Sequence, residues 1–103
     1  MICRQWRGLV RVDRAEAYIA HLSDRTLPQL ARLPGFRGAS VMRRDCPPGV
    51  EFVVLTKWDS LAAIVAFAGA DAEVAVVPEE ARQMMLEYDS RARHYEEVLT
   101  SRP

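Results

Sequence analysis

Val50-Glu51-Phe52-Val53-Val54-Leu55-Thr56-Lys57-Trp58 is the stretch that decides the fold. Phe52, Val54 and Trp58 alternate onto one face of an extended chain, and Val53 and Leu55 fall on the other. A strand that is apolar on both faces is covered on both faces. Residues 36–45, just before it, read as a second strand. Between the two lies Asp45-Cys46-Pro47-Pro48-Gly49, with two prolines that have no N–H and a glycine open to positive φ. The pair is therefore a hairpin. After it, Asp59-Ser60 caps a helix over residues 61–68, which Gly69 closes.

Working outward, residues 2–12 read as a first strand, with Ile2, Trp6, Val10 and Val12 on one face and Cys3 and Leu9 on the other. Asp13, with Glu16 three residues on, is set to cap a helix. Ala15, Tyr18, Ile19, Leu22, Leu30 and Leu33 follow at helical spacing. Pro28 lies inside that helix and should kink or split it; Pro34-Gly35 ends it. Residues 71–76 read as a turn, Pro78-Glu79-Glu80 as the start of a short helix through about Met85, and residues 91–99 as a last strand. The order is β-α-β-β-α-β, an α+β, ferredoxin-like antiparallel sheet with helices on one face and the last strand beside the first. The chain's helices cover only one sheet face. A second copy packed on the other gives a two-fold homodimer, a dimeric α/β-barrel.

Composition bounds what such a domain does. With 103 residues, half of them hydrophobic and 27% charged, residues 1–103 read as a single globular domain. Fourteen basic residues balance fourteen acidic ones, with Arg43-Arg44 the only adjacent basic pair. That charge pattern gives no footprint for nucleic acid or an anionic membrane. No apolar run approaches the ~20 residues that span a bilayer, and no signal peptide is read at the start. Cys3 and Cys46 have neither CxxC nor zinc spacing. The expectation is a cytoplasmic protein with no cofactor.

Several of these segments resemble the antibiotic biosynthesis monooxygenase superfamily of dimeric α/β-barrels. Ile2-Cys3-Arg4-Gln5-Trp6-Arg7-Gly8 is similar to its first strand, and Leu33-Pro34-Gly35-Phe36-Arg37-Gly38 to its "PGxxG" entry to the second. Trp58-Asp59-Ser60 with Phe67-Ala68-Gly69 is similar to its third strand and second helix, and His94-Tyr95-Glu96 to its last strand. The resemblance implies a pocket between sheet and helices and a cofactor-independent monooxygenase-like activity on a small aromatic or polyketide-like molecule. Departures from the family pattern leave a second reading open, a non-catalytic dimeric small-molecule-binding or scaffold protein. Quinone-forming members and haem-degrading relatives use a first-strand asparagine and a second-helix tryptophan, and haem degraders add a histidine just beyond that helix. This chain has no asparagine; Trp6 and Phe67 stand about where those two residues would be, and residues 71–77 hold no histidine.

The chemical groups are few. His94, on the last strand, is either a proton acceptor in the pocket or a structural histidine bonded to a neighbouring strand. Trp6, Tyr18, Trp58 and Phe67 are aromatics for a pocket wall or for the core. His21 reads as a solvated helix residue. Arg4 and Arg7 leave their strand on opposite faces; one of them is a candidate to bind an anionic substrate, with exposed or inter-subunit ion pairing the preferred role of each. Met84-Met85 reads as core filler. No nucleophile–base pair, glycine-rich phosphate loop or nucleotide fingerprint is present.

Overall fold

Alternation in the sequence becomes backbone pairing across the centre of the sheet. The computed structural model describes residues 1–103. Strand β1 (Ile2–Arg11) is followed by a 3-10 turn, helix α1 (Ala15–His21), a π-helical turn (Leu22–Thr26) and helix α2 (Leu27–Leu30). Strands β2 (Phe36–Cys46) and β3 (Gly49–Trp58) form the hairpin, and helix α3 (Leu61–Ala68) follows. Helix α4 (Glu79–Arg82) and strands β4 (Met85–Tyr88) and β5 (Arg93–Glu96) complete the chain. The sheet is antiparallel in the order β2-β3-β1-β4, with β5 also on β1, and the helices lie on one face. This is the ferredoxin-like α+β arrangement expected from the sequence.

Register sets the faces. Trp6 lies opposite Val54, Arg4 opposite Thr56 and Gly8 opposite Phe52, so even-numbered positions of β1 and β3 point to the helices. Odd-numbered positions, among them Arg7, Glu51, Val53 and Leu55, point away. The helix-facing side chains form two clusters. Val10, Tyr18, Leu22, Phe52, Met84 and Met85 make the larger one, with Ala81 of α4. Leu30, Trp58 and Ile64 make the smaller one, flanked by Phe36 and Phe67. A fully buried aliphatic or aromatic side chain contributes roughly 1.5–3 kcal/mol by leaving water, and Trp58, Phe52, Ile64 and Val10 are the largest that do so completely.

Local signals held where the chemistry was local. Ser60 Oγ accepts from the Ala63 N–H at 3.2 Å, and Gly69 closes α3 with a φ of 99°. Pro28 splits the first helix as expected. The break sits one turn earlier, where the Leu27 N–H bonds to the Leu22 carbonyl and the backbone widens to a π turn before the proline. Five expectations need correction. Asp13 makes no side-chain cap; it lies in the 3-10 turn, and α1 begins at Ala15. Gly49 has no positive φ. It is needed because a Cβ there would lie 2.5 Å from the Val10 carbonyl oxygen. Residues 78–85 are not one helix, because Met85 pairs with Val10 and begins β4. Arg4, expected in exposed or inter-subunit ion pairing, and His21, read as solvated, are buried on the helix-covered face. The last strand is shorter than expected, with β5 beside Ile2–Gln5, and an additional strand precedes it: β4 runs beside Gly8–Val10, and residues 89–92 bulge between the two.

Candidate functional site

A cleft opens at the seam between the two core clusters. Its floor is the sheet, from Arg4 and Trp6 of β1 and Val54 and Thr56 of β3. Its walls are Tyr18 and His21 of α1, Leu22 and Thr26 of the π turn, Leu30 of α2, Phe67 of α3, the segment Val76-Val77-Pro78, and Ala81 of α4. The strand period of two supplies the floor; the helical period supplies Tyr18, His21 and Leu22 at i, i+3 and i+4. Most of the lining is apolar, as in small-molecule sites. The cleft encloses about 80 Å³.

One end of the cleft is built on Arg4. The residue is only 5% exposed. Nη1 donates to the Ala72 carbonyl and, at 2.8 Å, to Nε2 of His94; Nη2 donates to the Val74 carbonyl at 2.9 Å. The group lies over the Phe67 ring, 5.7 Å from its centroid. Every one of these partners is neutral. Burial lowers the Arg4 pKa, and the charge of Glu73 opposes that shift. The carbonyls that hold Arg4 belong to a segment pinned from outside by Asp71, whose carboxylate pairs with Arg91 at 2.8 and 3.1 Å, and by the Ala92 N–H, which donates to the Glu73 carbonyl at 2.7 Å.

Of the residues singled out in the sequence, Trp6, Tyr18 and Phe67 lie together in the cleft lining. Trp6 Nε1 donates to the Asp89 carbonyl at 2.7 Å. Tyr18 packs edge-on against Phe52, and burial pushes its hydroxyl pKa up. Trp58 is not in the lining. It has no exposed surface, stacks behind Phe67 at 5.4 Å and holds Phe36 edge-on at 5.3 Å, with its indole N–H bonded to the Thr56 hydroxyl. His94 shares the helix-facing side of the sheet but stands behind Arg4, outside the lining. Because arginine is only a donor, His94 Nε2 must be the acceptor, so its lone pair is engaged. Burial and then the Arg4 charge lower its pKa, against an opposing pull from Glu73, so the neutral ring is favoured. Met84 and Met85 are core.

Sequence reasoning missed His21. It is 8% exposed, lines the cleft, and neither ring nitrogen has a hydrogen-bond partner; Nδ1 is 3.7 Å from a carboxylate oxygen of Glu80. The signal was its phase, three residues after Tyr18 and next to Leu22. Arg4 was likewise in phase with Trp6 and Val10. In both cases polarity argued for exposure and periodicity for burial, and periodicity won. No group of His, Cys, Asp and Glu is placed to hold a metal ion, and no helix is long and apolar enough to cross a membrane. Cys3 and Cys46 are free and half-buried.

The family model for antibiotic biosynthesis monooxygenase matches residues 1–79. No curated protein matches the sequence. Among solved structures, a MhuD variant with two manganese protoporphyrin IX molecules bound per active site is similar at a TM-score of 0.70 and 20% identity, covering 100% of both chains. An antibiotic biosynthesis monooxygenase from Bordetella bronchiseptica is similar at a TM-score of 0.67 and 20% identity, covering 95% of this chain and 97% of the other. The ActVA-Orf6 monooxygenase of Streptomyces coelicolor, in complex with nanaomycin D, is similar at a TM-score of 0.65 and 16% identity, covering 99% of this chain and 91% of the other.

Proposed function

The chain belongs to the antibiotic biosynthesis monooxygenase family, and from that premise we propose that it oxygenates a small aromatic or polyketide-like molecule, without a cofactor, in the cleft between helices and sheet. The observation that carries this reading is the cleft itself, an apolar seam with Trp6, Tyr18 and Phe67 around one cationic group. Structurally similar proteins hold flat polycyclic molecules, nanaomycin D in one case and manganese protoporphyrin IX in another. In such a reaction a substrate methylene loses a proton, and the carbanion attacks O₂. Loss of water from the peroxide then leaves a carbonyl: R₂CH₂ + O₂ gives R₂C=O + H₂O. The proton acceptor assigned by this reading is His21, whose ring nitrogens have no hydrogen-bond partner, and not His94, whose lone pair is held by Arg4. The aromatic walls exclude water from the carbanion.

Oxygen uptake with a panel of anthrones, whose ring methylene is the reacting carbon, tests the reading. The expected result is uptake equal to product formed, with one atom of labelled oxygen in the new carbonyl. Uptake no faster than without protein, in the presence of demonstrated binding, would instead favour a non-catalytic dimeric small-molecule-binding or scaffold protein. The cleft volume favours the scaffold form of that second reading, since about 80 Å³ is less than the ~150 Å³ of a cavity that takes one benzene ring. A larger ligand enters only with the cleft wall displaced or with part of the ligand outside.

The proposal includes a homodimer, with residues 1–103 as one cytoplasmic domain. On the outer sheet face Val53 and Leu55 are half-buried, and Met42 and Tyr95 are about half exposed. A second copy of that face is the cover this reading assigns, burying about 2,000 Å² or more in total. Sedimentation at micromolar concentration should show dimers; a monomer there would remove this part of the reading.

A further inference from the structure

We propose that Arg4 is the anchor for an anionic oxygen of the ligand, so that the cleft selects aromatic molecules bearing a phenolate, enolate or carboxylate over neutral ones of the same shape. The proposal rests on the reading of the cleft as an aromatic-binding site and names the charge its ligand carries.

A buried arginine is normally matched by a carboxylate. Arg7, on the other face of the same strand, is matched in that way by Glu51. Arg4 has no carboxylate partner. Its acceptors are the Ala72 and Val74 carbonyls and the His94 imidazole, none of which carries a negative charge. The nearest acidic influence, Glu73, is exposed, and its carboxylate lies 3.4 Å from Arg91. The positive charge in the cleft wall is therefore not cancelled by the protein.

Counting donors points the same way. A guanidinium has five N–H groups. Nη1 uses two, on Ala72 and His94, and Nη2 uses one, on Val74. The Nε–H and one Nη2–H are left without an acceptor in the fold. Three neutral contacts and the Phe67 ring hold the group in place before any ligand arrives, so little ordering remains to be done on binding. Charge-assisted hydrogen bonds to an anionic oxygen are about twice as strong as neutral ones, and the apolar walls limit screening by water.

The test compares 1-naphthoate with 1-naphthalenemethanol by isothermal titration calorimetry, with the Arg4 side-chain Nε–H followed by NMR. Wild type should bind the naphthoate at least tenfold more tightly, with the Nε–H resonance shifting as naphthoate is added. Arg4→Met, checked for folding by circular dichroism, should bind the two probes alike. If Arg4→Met does not fold, Arg4→Lys keeps the charge without the planar donors and should retain only part of the preference. Equal wild-type affinities, or a preference that leaves the Nε–H resonance unmoved, would overturn the anchor while leaving the aromatic cleft standing. Failure of both probes to bind would overturn both.

Discussion

Arg4 and Arg7 stand three residues apart on β1 and leave it on opposite sides of the sheet. Arg7 enters a cluster in which Glu51 accepts from Arg7 and, at 2.7 Å, from Arg44, with Glu87 a further 3.6 Å neighbour of Arg7. Those carboxylates raise its pKa. Arg4 meets only carbonyls and an imidazole, and burial lowers its pKa. The same residue type on one strand is therefore neutralised on the outer face and left charged on the face that holds the cleft. A neutralised cluster has its hydrogen bonds satisfied within the protein. A held but uncancelled charge at the edge of a cavity leaves a place for something from outside.

The largest expected effect tests whether the helix-covered face carries the fold. Trp58→Ala should cost about 3–5 kcal/mol in urea denaturation, since the side chain is wholly buried and its indole N–H also satisfies the Thr56 hydroxyl. A loss below about 1 kcal/mol would mean that stability resides elsewhere.

A smaller effect belongs to the outer face. Hydrogen bonds from Arg44 and then Arg7 hold the Glu51 pKa down at about 2, from an ordinary value of 4.5. A carboxylate whose folded pKa is depressed contributes stability that is fully present above its unfolded pKa. That stability is lost as pH falls through the folded pKa. Between about pH 4.5 and pH 2 the wild type should therefore lose stability faster than Glu51→Gln, as followed by urea midpoints. Parallel curves for the two proteins would show that the cluster does not hold Glu51 charged.

The smallest effect concerns His94. His94→Ala should leave the assembly unchanged and cost about 1 kcal/mol or less, while weakening naphthoate more than the neutral alcohol because Arg4 loses one of its acceptors. His94→Gln, which restores an acceptor, should recover the preference. If His94→Ala instead unfolds the protein, or changes its assembly, His94 is structural and does not act through Arg4.

The sheet was legible because its signals are local. Strands β1, β2 and β3 begin and end within about a residue of where alternation and turn residues put them, and Ser60 and Gly69 bound α3 through their own backbone chemistry. What was not legible depends on distant partners. Glu79 to Met85 has helix-forming residues throughout, yet pairing with Val10 draws Met85 into a strand. The π turn follows from Pro28 together with the need to keep both Leu22 and Leu30 inward, and periodicity alone does not separate that from a kink. At the site, the aromatics Trp6, Tyr18 and Phe67 were visible as residue types. Arg4 and His21 were hidden because charge and polarity are ordinarily read as exposure.

The break between β4 and β5 bears on how copies of this chain avoid joining edge to edge. An open sheet has two unpaired borders, and each is a template on which another chain can add a strand and start a fibre. Here one border is cut into two pieces of four residues each, separated by the bulge at residues 89–92. Neither piece is long enough to guide a regular added strand. The opposite border, β2, runs for eleven residues, with an irregularity only at its start, between Phe36 and Gly38. It carries Arg37, Arg43 and Arg44, each held in an ion pair within the chain, with Asp59, Glu16 and Glu51. Interruption guards one border, and the other is lined by charged side chains that an added strand would have to strip of water and of their ion-pair partners.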